Sequence, residues 1–271
     1  MTKITWAVQT NLLNVKDIAE LQEACEQQGH NFHPLKIIPF STDLPDVPTH
    51  QPTIFYGSAR QTITIARSQT WTPGVFFDEV NFLSTSYITH LGALMLNYDA
   101  LQITPRELVQ HPDKLTAPQY FVRPNNDSKS FAGQILSTPD LMAWATRLID
   151  IPTDIDADHP LILAPPKHIT SEWRIFMRDT EVITASRYQH LGQLAPSSQT
   201  PQEVLAFATQ CATRWHPARA YVMDIAQLSS GELKVIEFNG INSSGFYHAD
   251  KHRFVAELSA ISLEEWQKLH K

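Results

Sequence analysis

Several function classes leave no mark on this chain. It has no block of lysines or arginines, and its formal net charge is −7, from 21 basic and 28 acidic residues. Bulk electrostatics therefore argue against a nucleic-acid or anionic-membrane partner, while a local pocket of a few cations stays compatible with them. No apolar run is long enough to span a bilayer, and the opening residues Met1, Thr2, Lys3, Ile4, Thr5 and Trp6 do not read as a signal peptide. There are only two cysteines, Cys25 and Cys211, far apart and in no Cys-x-x-Cys pair. Both read as reduced thiols, and the protein as cytoplasmic. No Gly-x-Ser-x-Gly elbow and no glycine-rich phosphate loop ending in Gly-Lys-Ser/Thr is present. His248 and His252 have helical i, i+4 spacing but no third ligand nearby, and His30 and His33 form a weaker pair.

What is present is a chain of 271 residues, 42% hydrophobic, enough for one large domain or two to three small ones. Over the first hundred residues strand and helix patterns alternate. Strands are expected at 3–9, at 35–38 between Pro34 and Pro39, at 53–56 and at 74–78. Helices are expected at 15–28 and, capped by Ser58, through about Arg67. This is an α/β unit with a largely parallel sheet. Near residue 115 the character changes. A strand at 119–124 runs into a polar loop at 125–130. Thr138 is the expected N-cap of a helix through Leu148, with Pro139 in its first turn. A short buried strand at 161–164 stops at Pro165 and Pro166. Strands at 173–177 and 182–186 flank a turn, a helix covers 202–213, and a last helix or pair of turns covers 254–269.

The candidate chemistry gathers on the later strands. The run at 235–239 ends in Glu237-Phe238-Asn239 and opens into the loop Gly240-Ile241-Asn242-Ser243-Ser244-Gly245. The run at 221–225 carries Asp224, and Gly231 lies in the turn between the two. Glu237 and Asn239 share a face at strand spacing. Two carboxylates and an amide oxygen are hard ligands that suit Mg²⁺ beside phosphate oxygens; the ordinary alternative is a pair of solvated sheet-edge acids. Arg123 and Lys129 flank a polar loop and can meet phosphates, as a fork and as a point charge. Arg174 and Arg187 interrupt otherwise apolar strands, each near the end away from the turn.

The order of these pieces resembles the ATP-grasp superfamily. It is most similar to the bacterial and phage clade with arginine at the first nucleotide-binding position. The likeness covers roughly residues 115–260. It implies an N-terminal Rossmann-like pre-ATP-grasp domain at 1–114, followed by a two-lobed ATP-grasp domain at 115–271 with antiparallel sheets. The small lobe would span about 115–165 and the large lobe about 166–271. It also implies that Arg123 and Lys129 contact the phosphates of ATP, that Leu163, Ala164 and Pro165 form a hinge against adenine, and that Glu172 touches the nucleotide or ribose. Relatives commonly carry an acidic residue where this hinge has Ala-Pro-Pro. Arg174 and Arg187 would stabilise the transferring phosphoryl group. Asp224, Glu237 and Asn239 would hold two Mg²⁺ ions, and Asn242, Ser243, Ser244 and Gly245 would offer N–H groups to a substrate carboxylate.

The activity so implied is an ATP-dependent carboxylate–amine ligase acting on small-molecule or peptide substrates. The alternatives are a kinase-like phosphotransferase and a nucleotide-binding module without turnover. The acceptor pocket is expected between the N-terminal unit and the Ser/Gly loop, near Tyr56, Gly57, Ser58, Tyr247 and His248.

Overall fold

The structure, a computed structural model, describes residues 2–38, 41, 43–48, 50–126, 131–151 and 155–270. The chain begins with β1 (Thr5–Gln9), α1 (Val15–Gln27), β2 (Asn31–Leu35), β3 (Thr53–Tyr56), α2 (Ala59–Ser68) and β4 (Pro73–Gly74). The four strands form a parallel sheet in the order β2-β1-β3-β4. Every residue of β1 and β3 is buried, as central parallel strands between helices must be. On one face Trp6, Val8, Ile54 and Tyr56 meet Leu21, Ala24 and Cys25 of α1. On the other, Ala7 and Phe55 meet Ile65 of α2 and Trp71. Ser58 caps α2 as expected, accepting from the Gln61 N–H at 3.3 Å.

Two expectations in this unit are corrected. The strand expected at 35–38 is β2, at Asn31–Leu35, with Pro34 inside it; Pro39 lies outside the described residues. β2 is an edge strand, where a missing N–H need not break a ladder. The strand expected at 74–78 shrinks to Pro73–Gly74, because the Phe76 N–H donates to the side chain of Asn242 instead of a neighbouring strand.

Next come α3 (Ser84–Leu91), β5 (Leu101–Ile103), α4 (Pro105–Gln110), β6 (Gln119–Pro124), β7 (Gln134–Ser137), α5 (Thr138–Asp150) and β8 (Leu161–Ala164). β5-β8-β6-β7 form an antiparallel sheet. Val122, Leu161 and Leu163 of this sheet pack on Leu108 of α4 and on Leu141 and Ala145 of α5. The N-cap of α5 is Ser137 rather than Thr138. Ser137 Oγ accepts from the Asp140 N–H at 3.2 Å, while the Thr138 hydroxyl is drawn away to the Ala117 carbonyl at 2.6 Å.

The remainder is β9 (Ile169–Arg178), β10 (Glu181–His190), β11 (Gln193–Ser197), α6 (Gln202–Arg214), β12 (Ala220–Leu228), β13 (Leu233–Asn239) and α7 (Lys251–Leu269). Its antiparallel sheet runs β11-β10-β9-β12-β13. Asp179 and Gly231, both at positive φ, turn the β9–β10 and β12–β13 hairpins. α6 covers one face through Val204, Ala208 and Cys211, against Trp173, Ile175 and Met223. α7 covers the other through Phe254 and Leu258, against Phe176 and Val222.

That second face does not close on itself. Trp6, Tyr56 and Leu21 of the parallel unit belong to the same apolar cluster. Trp6 Nε1 donates to Ser259 Oγ at 3.1 Å, and the buried Lys251 bridges Asp17 at 2.8 Å and Glu20 at 2.6 Å. The first and last elements of the chain thus share one core. Among the described residues no helix is long and apolar enough to cross a membrane.

Candidate functional site

Three adjacent antiparallel strands build the centre. The register sets Arg174 of β9 opposite Asp224 of β12, and Asp224 opposite Glu237 of β13. Opposed residues share a face, and alternate residues along one strand do too. Glu172, Arg174, Asp224, Glu237 and Asn239 therefore project from the same side of the sheet. The side chain of Asp224 is 1% exposed. Arg174 grips it with both prongs, Nε to Oδ1 at 2.9 Å and Nη2 to Oδ2 at 2.7 Å. Asn239 Nδ2 donates to Asp224 Oδ2 at 3.2 Å and to Glu237 Oε1 at 3.1 Å. Three oxygen-bearing head groups thus surround one point. Turning the Asn239 amide over would present its oxygen there.

The antiparallel sheet of β5–β8 supplies the other wall. Arg123 of β6 reaches across to Glu237, Nη1 to Oε2 at 2.6 Å. Between the walls lies a cavity of about 400 Å³, lined by Phe121, Arg123, Phe131, Glu172, Tyr188 and Glu237 among others. One end is aromatic and the other cationic and acidic. Such a space suits a ligand with a flat apolar body and an anionic end, provided a cation accompanies it. Among the described residues no trio of His, Cys, Asp or Glu comes together. The donor set here is two carboxylates and an amide, all oxygen, which fits a small hard divalent ion.

Electrostatics act on the buried charges of the centre in opposing ways. Burial works against the charge of Arg174, but the Asp224 carboxylate outweighs it and holds the guanidinium above its ordinary value. Burial pushes the Glu172 carboxyl up, a hydrogen bond from Tyr188 opposes this, and the charges of Asp224 and Glu237 add to it. The Tyr188 hydroxyl donates to Glu172 Oε2. Tyr188 also stacks on Tyr247, with centroids 5.2 Å apart. The Arg174 guanidinium stands against the pair, 5.6 and 5.4 Å from the two centroids.

A second cavity, of about 630 Å³, has Arg174 in its wall, while the first has Tyr188, against whose ring Arg174 stands. The second is lined by Asp17 and Glu20 of α1, Arg174, Gly245, Tyr247 and Lys251 among others. It lies beyond the carboxyl end of β1, at the strand where the order of the parallel sheet reverses. Open parallel sheets bind ligands at such a place. Of the residues expected at an acceptor pocket, Tyr247 and His248 line this cavity. Tyr56 is buried and donates its hydroxyl to the Ser244 carbonyl at 2.6 Å, the Gly57 N–H is bound to the Asn242 carbonyl at 2.8 Å, and Ser58 is the α2 cap.

The Ser/Gly loop is anchored by its own side chains. Asn242, fully buried, accepts from the Phe76 N–H at 2.8 Å and donates to the Phe55 carbonyl at 2.7 Å. The Ser243 and Ser244 hydroxyls donate back to the Gly240 carbonyl. Among the described residues the N–H groups of Ser244 and Gly245 donate no hydrogen bond.

Other expected residues are placed by neighbouring strands. Arg187 is opposite Trp173, one position beyond the partner of Arg174, and its Nε donates to the Ala195 carbonyl at 3.2 Å. Leu163 is paired with both Leu101 and Val122, whereas Ala164 and Pro165 lie past the end of the β5 pairing. Lys129 lies outside the described residues. Sequence reasoning misses Tyr188 as a partner of Glu172. A bulge between Arg187 and Gln189 makes that contact possible, and nothing in the local pattern announces it.

The chain has counterparts among known proteins. A family model described as an ATP-grasp domain, family 2 of the R-to-K clade, matches residues 101–257. Among solved structures, the D-cycloserine synthetase DcsG is similar with a TM-score of 0.66 at 16% identity, over 96% of this chain and 99% of that one. A RimK domain ATP-grasp protein from Sphaerobacter thermophilus DSM 20745 is similar with a TM-score of 0.65 at 13% identity, over 93% and 98%. The ATP-grasp ligase PsnB, complexed with a minimal precursor, is similar with a TM-score of 0.55 at 16% identity, over 91% and 92%. No curated protein sequence matches the chain. At these identities the structural likeness speaks for the fold.

Proposed function

The chain belongs to the ATP-grasp domain family of the R-to-K clade, by a match over more than half its length, and from that premise we propose an ATP-dependent carboxylate–amine ligase. ATP and Mg²⁺ are its cofactors. The observation that carries the ligase reading is the pair of cavities that have Tyr188 and Arg174 in their walls, one with an aromatic end and an acidic end, the other beside the Ser/Gly loop.

A carboxylate is a poor electrophile because its leaving group would be oxide. Transfer of the γ-phosphoryl group to it gives an acyl phosphate and ADP. An amine then attacks the acyl carbon, phosphate leaves, and the amine gives up a proton to complete the amide. Asp224, Glu237 and Asn239 would hold Mg²⁺, which supplies neutralisation of the phosphate oxygens. Phe121 and Phe131 offer the base an apolar wall, and Arg123 takes phosphate oxygens from the opposite sheet. Arg174 stands at the boundary of the two cavities, where the transferred group must pass. Arg187 would have to leave the Ala195 carbonyl to join it. The N–H groups of Ser244 and Gly245 suit the substrate carboxylate, and the backbone past Leu163 suits the adenine edge. No side-chain nucleophile takes part. The two cysteine thiols, buried and pushed up to about 12, are far from thiolates at neutral pH.

The nucleotide-binding module is proposed to start near residue 101 rather than 115, because β5 pairs with β8 inside its sheet. A small or peptide carboxylate and an amine are the proposed substrates, and the cytoplasm the proposed setting. Phosphate release is measured over a panel of carboxylates and amines. Release that requires both a carboxylate and an amine supports the ligase. Stable accumulation of a phosphorylated acceptor with ADP would instead make the protein a phosphotransferase, and ATP binding without turnover would make it a binding module.

A further inference from the structure

Four non-glycine residues among those described have positive φ: Gln69, Asp179, Leu191 and Tyr247. Gln69 ends α2, Asp179 turns the β9–β10 hairpin and Leu191 turns the β10–β11 hairpin. Tyr247, at φ +53°, ends no helix and turns no hairpin. The left-handed region is costly for an aromatic residue and persists only where the surroundings enforce it. Here they do. Phe246 on one side stacks on Tyr56 at 5.0 Å and on Phe176 at 5.6 Å. On the other side the His248 N–H is fixed to Ser186 Oγ at 3.1 Å. The strained backbone throws the Tyr247 ring onto Tyr188.

The consequence falls on Arg174. Its carboxylate partner, Asp224, is also a proposed metal ligand. Were a metal to engage Asp224, the guanidinium would lose the grip that orients it. Its remaining supports are the Gly245 carbonyl, 3.4 Å from Nη1, and the two stacked rings. Tyr188 faces the nucleotide cavity and Tyr247 the second one, so the stack is also part of the wall between them. We propose that Tyr247 is a positioning residue for phosphoryl transfer, holding Arg174 at the boundary of the two cavities once Asp224 is engaged. This rests on the ligase reading. Charge above an aromatic face is attracted to it, and a misplaced group near a reacting centre is costly to rate.

The full chain is compared with Tyr247→Phe, Tyr247→Ala and Tyr247→Gly. Glycine accepts φ +53° without strain, which offsets part of the lost ring packing, so the Tyr247→Gly variant should stay folded well above the assay temperature, and its melting curve separates a positioning defect from unfolding. Turnover with a carboxylate–amine pair should fall about 100-fold in kcat for Ala and Gly, with the KM for ATP little changed, and Phe should restore it. With ADP and Mg²⁺ bound, the Arg174 Nε–H resonance should show nuclear Overhauser contacts to the Tyr188 ring in wild type and Tyr247→Phe, and lose them in Tyr247→Gly. A wild-type kcat in Tyr247→Gly, or Arg174–Tyr188 contacts that persist in that variant, overturns the proposal. If wild type turns over no pair at all, the ligase reading fails, and the resonance then decides the placement of Arg174 alone.

Discussion

Arg174 and Arg178 lie four residues apart on β9, on the same face of the same sheet, and both are paired with carboxylates. Arg178 takes Glu257 at 2.8 Å and Glu264 at 2.6 Å, and Arg219 adds Asp179, Glu264 and Glu265 to that cluster. The side chains of this cluster are 23–42% exposed, against 13% for Arg174 and 1% for Asp224. The outer cluster fastens α7 to the sheet, and water shares its charges. The inner pair has almost no water to fall back on. A pair that is half solvated can be loosened cheaply, whereas a buried pair must be exchanged for new partners rather than broken. Arg123 with Glu237, at 13% and 24% exposure, stands between the two. The inner charges therefore neutralise one another. On the proposed reading, phosphates would take the arginines and Mg²⁺ the acids.

The largest expected effect separating the two clusters is on turnover. Glu237→Ala should lower ATP turnover on the order of 10³-fold or more in a steady-state phosphate assay; wild-type turnover in that variant would remove Glu237 from the site. Next is stability. Asp224→Ala leaves Arg174 buried without its carboxylate and should cost about 3–5 kcal/mol in urea unfolding. Glu264→Ala, in the outer cluster, should cost about 1 kcal/mol or less and fade with added salt. Equal costs for the two would erase the distinction.

Exchange of partners also makes the two ligands depend on each other. Titration calorimetry should find ATP binding about 10–100-fold tighter with Mg²⁺ present than without, and Mg²⁺ equally favoured by ATP, after correction for MgATP formation in solution. Independent binding would mean the inner pairs stay closed. The smallest effect is on pH. Burial raises the Glu172 carboxyl above its ordinary 4.5 in the fold. Its contribution to stability is therefore full below pH 4.5 and is lost as pH rises through the folded value. Glu172→Gln should flatten that part of the stability profile, measured by denaturation across pH 4–8. An unchanged slope would place its origin elsewhere.

Much of the inner centre is legible in the sequence because it depends on short-range rules. The period of two joins Glu237 to Asn239, and Gly231 marks the hairpin that brings Asp224 alongside Glu237, whereas Arg174 reaches Asp224 only through the pairing of β9 with β12. The parallel unit is legible from its alternation. What escapes depends on contacts between distant segments or on single-residue irregularities. Arg123 meets Glu237 only because two separate sheets face each other. Tyr188 meets Glu172 through one bulge, and β5 joins β8 from far along the chain. Pro34 inside β2 reads as a strand boundary because an edge strand cannot be recognised before its neighbours are known.

Asn242 gives the molecule a property beyond its hydrogen bonds. One amide ties the loop proposed to receive the carboxylate to the end of β3 and to the segment after β4. The parallel unit is therefore not a detachable cassette. A transplanted N-terminal unit would have to present a carbonyl and an N–H where Phe55 and Phe76 now do, or the loop would lose its seat. Altering the acceptor by exchanging whole domains should fail more often than redesigning side chains around the second cavity, which leaves this tether in place.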